Sequence, residues 1–79
     1  MQPQPLPVPV EGDIRLGQFL KLAGAADSGA DARALLLDGE VQVNGEAETR
    51  RGRRLVAGDV VLVDLVDGPL VYRVEQAEG

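Results

Sequence analysis

Apolar residues recur at the spacing of a buried helix face in two stretches of the first half of the chain. In the first stretch they fall every three or four residues, at Leu16, Phe19, Leu20 and Ala23. Asp13 is a favourable N-cap whose negative charge suits the helix dipole, and Gly24 suits a helix terminus. The pattern therefore predicts a helix that begins at Asp13 and ends near Gly24.

The second stretch begins at Ser28, a typical N-cap residue that is followed three positions later by Asp31, as in a shortened capping box. The inner face of this segment consists of Ala32, Leu35 and Leu36. The pattern ends at Asp38-Gly39. Because a short linker joins the two segments, the sequence predicts a hairpin of two helices of about ten residues each.

Alternating apolar and polar residues then predict a small β-sheet. Val41 and Val43 precede Asn44-Gly45, the strongest short-range signal of a β-hairpin. The later strands predicted in this way are a weak return strand at 46–49, a valine-rich strand at 60–66 and its partner at 70–74. The predicted fold class is α+β, with a two-helix hairpin packed on a small, mainly antiparallel β-sheet.

The first ten residues are consistent with two structures. Prolines at positions 3, 5, 7 and 9 are typical of a flexible polyproline-like tail, yet Leu6, Val8 and Val10 alternate with the last three prolines. In a strand, every second residue directs its N–H group to the same side, so all the missing donors could face solvent. The segment is therefore either an N-terminal proline-rich extension or an edge strand.

Basic charge is concentrated between the predicted strands, within the stretch 40–59 around which we expect the chain to be organised. Four arginines fall within five residues there, at Arg50, Arg51, Arg53 and Arg54. The formal net charge of -5 argues against a nucleic-acid partner, but residues 14–55 hold seven of the eight basic residues and only six of the thirteen acidic ones. We therefore expect one face to meet a polyanion. The alternative is that scattered acids merely maintain solubility.

The chain contains no cysteine, which excludes disulfides, thiolate metal sites and cysteine nucleophiles. It also contains no histidine, which removes the usual zinc ligand and the usual base near neutral pH. Ser28 and Thr49 have no histidine to activate them, and the sequence contains no phosphate-binding glycine pattern. We expect no enzyme activity, no catalytic residue, no cofactor and no metal. The sequence also lacks a long apolar run and a signal peptide, so we expect a cytoplasmic, bacterial protein with no membrane partner.

The segments DGEVQVNG, ETRRGRR and AGD, at these spacings after two helices, resemble the RNA-binding domain family named after small-subunit ribosomal protein S-four, in particular its small stand-alone bacterial members. The resemblance covers residues 14–63 and implies the αL RNA-binding motif, in which a helix pair and the neighbouring loop form one surface. Gly17 and Gly29 depart from the family pattern, which often has an acid at the first position and a base at the second. We divide the chain into an N-terminal segment at 1–10, a single RNA-binding domain at 11–75 and a tail at 76–79.

Carried over by position, the resemblance implies RNA contacts from both helices and from the segment after the hairpin, at Arg15, Ser28, Arg33, Thr49, Arg50 and Arg51. The arginine cluster adds Arg53 and Arg54. Lys21 is a further candidate, whose simpler role is to keep an exposed helix face hydrated. A second interpretation is that the loop arginines pair with Glu46, Glu48 and other acids across the hairpin.

The residues favour a folded RNA as the ligand. Arginine presents paired donors that match phosphate oxygens, and the chain has only two aromatic residues on which splayed bases could stack. We expect a monomer that binds structured RNA, of a ribosomal or tRNA-like kind, with a ribosomal or ribonucleoprotein partner left open. The alternative function is a protein-protein adaptor that docks on a ribonucleoprotein.

Overall fold

The computed structural model describes residues 4–77, which form two helices and seven strands. In chain order they are β1 (Leu6–Val10), β2 (Ile14–Arg15), α1 (Leu16–Leu22), α2 (Gly29–Leu37), β3 (Val41–Val43), β4 (Glu46–Ala47), β5 (Arg54–Leu55), β6 (Val60–Leu65) and β7 (Gly68–Gln76). Five strands form one sheet in the order β1-β7-β6-β3-β4, and β2 pairs with β5 separately. All pairs are antiparallel except β1 with β7. The predicted α+β fold class is confirmed.

The core lies between the two helices and one face of the five-stranded sheet. Phe19 on α1 packs edge-on against Tyr72 on β7, with ring centroids 6.2 Å apart and an angle of 81° between the rings. The other large side chains that are fully buried are Leu16, Leu20, Leu36, Val41, Val43, Val61, Val63 and Val74. The helix faces predicted from the apolar spacing are therefore the ones that pack on the sheet, and their burial is the main source of stability.

The first helix begins later than the sequence predicts. Ile14 and Arg15 are extended and pair with β5, so α1 starts at Leu16 and not at Asp13. The contact that takes these residues out of the helix joins positions about forty residues apart, and local capping signals do not encode such a contact. The helix ends close to the predicted position, since Gly24 adopts a φ of 82° just after it.

Local signals locate the second helix and the hairpin correctly. The Ser28 hydroxyl accepts a hydrogen bond from the Asp31 backbone N–H at 3.2 Å, which caps α2. Asn44 and Gly45 have φ values of 53° and 86°, the two positive values that a type I′ turn requires. The return strand β4 has two residues and is shorter than the predicted segment 46–49.

The proline-rich segment contains the edge strand β1. The Val10 carbonyl accepts a hydrogen bond from the Ala77 backbone N–H at 2.8 Å, so Val10 directs its backbone groups toward β7. Because alternate residues of a strand direct their backbone groups to opposite sides, Pro7 and Pro9 direct their backbone groups away from β7. The N–H group that proline lacks is not needed on that side. Residues 1–3 of the predicted N-terminal segment and 78–79 of the predicted tail lie outside the described residues. The division of the chain at residues 10 and 75 stays a prediction.

Candidate nucleic-acid interface

Four cationic side chains from separate parts of the chain meet around one groove of about 280 Å³. They are Arg15 before α1, Lys21 on α1, Arg33 on α2 and Arg51 between β4 and β5. Three glycines also line the groove and leave its backbone open to a ligand, namely Gly17, Gly29 and Gly52. Among residues 4–77, no acidic side chain lines this groove. It therefore concentrates positive charge without an acid beside it.

The loop of residues 48–54, called the arginine loop here, is tied to the start of α1 through its backbone. The N–H groups of Leu16 and Gly17 donate to the carbonyls of Arg53 and Arg51, at 2.8 and 2.9 Å. The Arg15 guanidinium donates through Nη1 to the Gly52 carbonyl at 2.8 Å. The first N–H groups of α1, which have no partner within the helix, are thus satisfied by the loop. These bonds place the loop at the edge of the groove.

Gly17 allows this close approach. A Cβ atom added at Gly17 would lie 3.2 Å from the Arg51 Cβ and 3.5 Å from the Arg51 carbonyl oxygen. The first distance is tighter than ordinary van der Waals contact, so any larger residue would displace the loop by a few tenths of an ångström. The glycine that departs from the family pattern is therefore a point of contact between α1 and the arginine loop.

Glu48 is the one buried charged residue in the part of the chain that the structure describes. Its Oε1 accepts hydrogen bonds from Arg50 Nη2 and Arg53 Nη1, each at 3.2 Å. Its Oε2 accepts from the Thr49 backbone N–H at 3.1 Å, and from the backbone N–H and Nε of Arg50 at 3.3 Å. The side-chain hydrogen bonds from Arg50 outweigh the effect of burial and lower the pKa of Glu48 from 4.5 to about 2. The carboxylate is therefore charged and fully paired near neutral pH.

The nine candidate residues fall into three groups. Arg15, Lys21, Arg33 and Arg51 line the groove, and an adjoining depression contains Thr49 beside Arg33 and Arg51. Arg54 is exposed on β5, directly across from Arg15. The remaining three, Ser28, Arg50 and Arg53, bond to other groups of the protein and do not line the groove. The interpretation that loop arginines pair with acids thus holds for two of the four, and both of these pair with Glu48.

Sequence reasoning missed the residues that shape the groove without being basic. Gln18 lines the groove and accepts a hydrogen bond from the Arg15 backbone N–H at 3.1 Å. The sequence marks Gly17 and Gly29 only as departures from a family pattern. In the sequence, Glu48 is one of several acids that could pair with the arginines. Its position two residues before Arg50 and five before Arg53 is the signal that distinguishes it.

Acidic residues lie on another side of α2. A second depression is lined by Asp31 on α2 and by Asp27 and Asp38, which flank that helix, whereas Arg33 on α2 lines the groove. Around α2, acidic and basic side chains therefore line different depressions. Positive and negative side chains do not mix at the groove.

Two kinds of feature are absent from residues 4–77, a metal-binding cluster and a membrane-spanning helix. No three histidine, cysteine, aspartate or glutamate residues lie close enough together to hold a metal ion in that range. Neither α1 nor α2 is long and apolar enough to cross a membrane.

The fold is that of a small α+β domain, and comparison with known proteins identifies its family. The family described as "S4 domain" matches residues 10–69. The chain belongs to the S4 domain family.

Three proteins similar to this chain come from different organisms. The "Probable ribosome maturation protein RlbA" of Bacillus subtilis is 53% identical over 51 residues, which are 65% of this chain and 72% of that protein. The "Putative RNA-binding protein YbcJ" of Escherichia coli is 42% identical over 48 residues, or 61% of this chain and 69% of that protein. The "Small ribosomal subunit protein uS4m" of Schizosaccharomyces pombe is 44% identical over 52 residues, 66% of this chain but 16% of that longer protein.

Proposed function

We propose that this protein binds structured RNA by placing phosphate groups in the groove between α1, α2 and the arginine loop. The observation that carries the proposal is the convergence of four cationic side chains, from separate segments, on a groove that no acid of the described residues lines. A domain with a net charge of -5 has no general affinity for a polyanion, so a local cationic surface is the feature that needs an explanation.

The side chains favour phosphate and shape over base identity. Arginine binds two phosphate oxygens at once, whereas lysine acts as a point charge. Phe19 and Tyr72 are both buried in the core and offer no surface on which bases could stack. A folded RNA, whose backbone is fixed in space, therefore fits the groove better than a flexible single strand.

The names of the relatives support a ribosome-related RNA as the ligand. One has a name that describes it as an RNA-binding protein, another as a ribosome maturation protein, and a third as a protein of the small ribosomal subunit. We therefore propose a ribosomal or tRNA-like RNA as the ligand, bound free or within a ribonucleoprotein particle.

The number of cations sets the expected dependence on salt. The groove provides four, and the exposed Arg54 next to Arg15 provides a fifth. Each neutralised phosphate contributes about -0.7 to -0.9 to the slope of log affinity against log salt, so five contacts give about -3.5 to -4.5.

The test is binding to a fluorescently labelled, folded ribosomal RNA hairpin, measured by anisotropy between 0.05 and 0.2 M salt, a range chosen for the size of this effect. Arg33→Ala removes one cation from the groove and is expected to reduce the slope by about one. Arg73→Ala is the matched control, because Arg73 lies on β7, pairs with Glu75 at 2.7 Å and does not line the groove.

Two results would contradict the proposal. The first is the absence of salt-dependent binding in the unaltered protein, which would favour a protein-protein adaptor. The second is an equal loss of affinity in both variants, which would mean that total charge, and not the groove, attracts the RNA.

A further inference from the structure

We propose that Glu48 sorts the four arginines of the loop into two that hold the loop and two that contact RNA. Arg50 and Arg53 serve as internal counter-ions of the buried carboxylate. Arg51 and Arg54 remain available to phosphate. This inference rests on the proposed function and makes Glu48 a positioning residue of the same interface.

The geometry around Glu48 occupies donors that a phosphate would need, namely a neighbouring pair on Arg50 and one donor on Arg53. An arginine makes its two-point contact with an oxyanion through a pair of neighbouring N–H groups. Arg50 directs both Nε and Nη2 at the Glu48 carboxylate, at 3.3 and 3.2 Å. Arg53 directs Nη1 at the same carboxylate, and its side chain is only 30% exposed. The Arg50 side chain is 77% exposed, but its Nε–Nη2 pair could bind a phosphate only after leaving Glu48. Arg53 would have to give up its Nη1 bond to turn all its donors toward a phosphate.

That exchange is unfavourable because Glu48 is buried. Its side chain is 8% exposed, so little water can replace a lost arginine. A buried carboxylate without its partners is strongly destabilising, more so than the loss of an exposed ion pair. The internal pairs should therefore persist when RNA binds.

The hydrogen bonds around Glu48 also determine where Arg51 lies. The Glu48 backbone N–H donates to the Val41 carbonyl at 3.0 Å, which fixes the carboxylate beside β3. Bonds from Thr49 and Arg50 then curl the following backbone around the carboxylate. The curled loop presents the Arg51 carbonyl to Gly17 at 2.9 Å and its side chain to the groove.

The experiment is a set of single substitutions read by the salt slope on one folded RNA hairpin. Arg51→Ala is expected to reduce the slope by about one, as expected for a lost phosphate contact. Arg53→Ala should leave the slope unchanged and lower the thermal midpoint. Should Arg53→Ala fail to fold, Arg53→Gln removes the same charge and keeps a hydrogen-bond donor for Glu48.

A second experiment uses Glu48→Gln. It distinguishes the proposed role of Glu48, which is to determine which arginines contact RNA, from a purely structural role. The neutral side chain releases both arginines, so the slope should become steeper, by up to about 1.4 to 1.8 for two new phosphate contacts. A residue that only maintained the fold would lower the thermal midpoint and leave the slope unchanged or weaker. Amide hydrogen exchange of Thr49 and Arg50, measured without RNA, should be faster in this variant.

The outcomes are distinguishable. Salt-dependent binding with equal loss of slope in Arg51→Ala and Arg53→Ala would overturn the sorting and leave the proposed function in place. An unchanged slope in a folded Glu48→Gln variant would also overturn it. No salt-dependent binding by the unaltered protein would overturn both.

Discussion

A lysine placed on the groove at Gly29 tests whether the groove, and not overall charge, controls RNA binding. Gly29 is the first residue of α2 and lines the groove. A Cβ added there meets no atom within 4 Å, and the backbone of Gly29 is not in the left-handed region. A long side chain can therefore enter the groove without displacing its neighbours.

The expected effect of Gly29→Lys follows from one additional phosphate contact. The salt slope should steepen by about 0.7 to 0.9, which raises the affinity about four- to sixfold at 0.15 M salt. Stability should hardly change, because the higher helix propensity of lysine, up to roughly 1 kcal/mol, opposes the roughly 0.3 to 1 kcal/mol lost by a cation at a helix N-terminus.

The matched control is Ala30→Lys, which makes the same change of charge one residue further along the helix. Ala30 is exposed but does not line the groove. Both variants are titrated against the same folded RNA over a salt series and followed by anisotropy. The increase in log affinity should be at least twice as large for Gly29→Lys as for the control. Equal gains would refute the reasoning, since the RNA would then be responding to net charge alone.

Four more predictions concern stability and loop placement. Gly45→Val should cost about 1 to 3 kcal/mol of unfolding free energy in a urea titration, because a β-branched residue is strained at a φ of 86°; an unchanged midpoint would contradict this. Phe19→Ala should cost about 3 to 5 kcal/mol by the same assay, whereas the exposed Leu37→Ala should change it by less than about 0.5 kcal/mol. Gly17→Ala should weaken RNA binding while unfolding changes by less than about 1 kcal/mol, since helix propensity offsets crowding against Arg51; full affinity would show that the loop adapts. Glu48 has a folded pKa of about 2, below its ordinary 4.5, so its stabilisation is present above pH 4.5 and is lost as the pH falls toward 2; Glu48→Gln should remove that part of the acid dependence in urea titrations at pH 5 and pH 3.

The features that the sequence predicts correctly are those that depend on near neighbours. The buried face of α1 follows from the spacing of Leu16, Phe19 and Leu20, because a helix brings such positions together regardless of the rest of the fold. The turn at Asn44-Gly45 follows from the backbone preferences of two residues. Both features are local, so a single sequence is sufficient to predict them.

The features that the sequence does not predict depend on contacts between distant segments. The start of α1 is set by pairing of Ile14 with Leu55, and β1 lies beside β7 although nearly the whole chain separates them. The role of Glu48 depends on how the arginine loop curls. A pattern of charges reveals that four arginines are close in sequence, but not that a buried carboxylate engages two of them.

The net charge of -5 is compatible with the proposed phosphate-binding face because some of the acids lie away from the groove or are paired. Asp64 and Glu75 each follow a buried valine on β6 or β7, so their side chains lie on the sheet face turned away from the helices. The molecule measures 35 by 31 by 21 Å, whereas salt screens charges beyond roughly 8 Å at 0.15 M ionic strength. Acids on the far face therefore oppose RNA binding weakly at physiological salt. Near the groove, Glu48 is neutralised by Arg50 and Arg53, so a polyanion that approaches the groove meets a locally positive surface despite the charge of the whole chain.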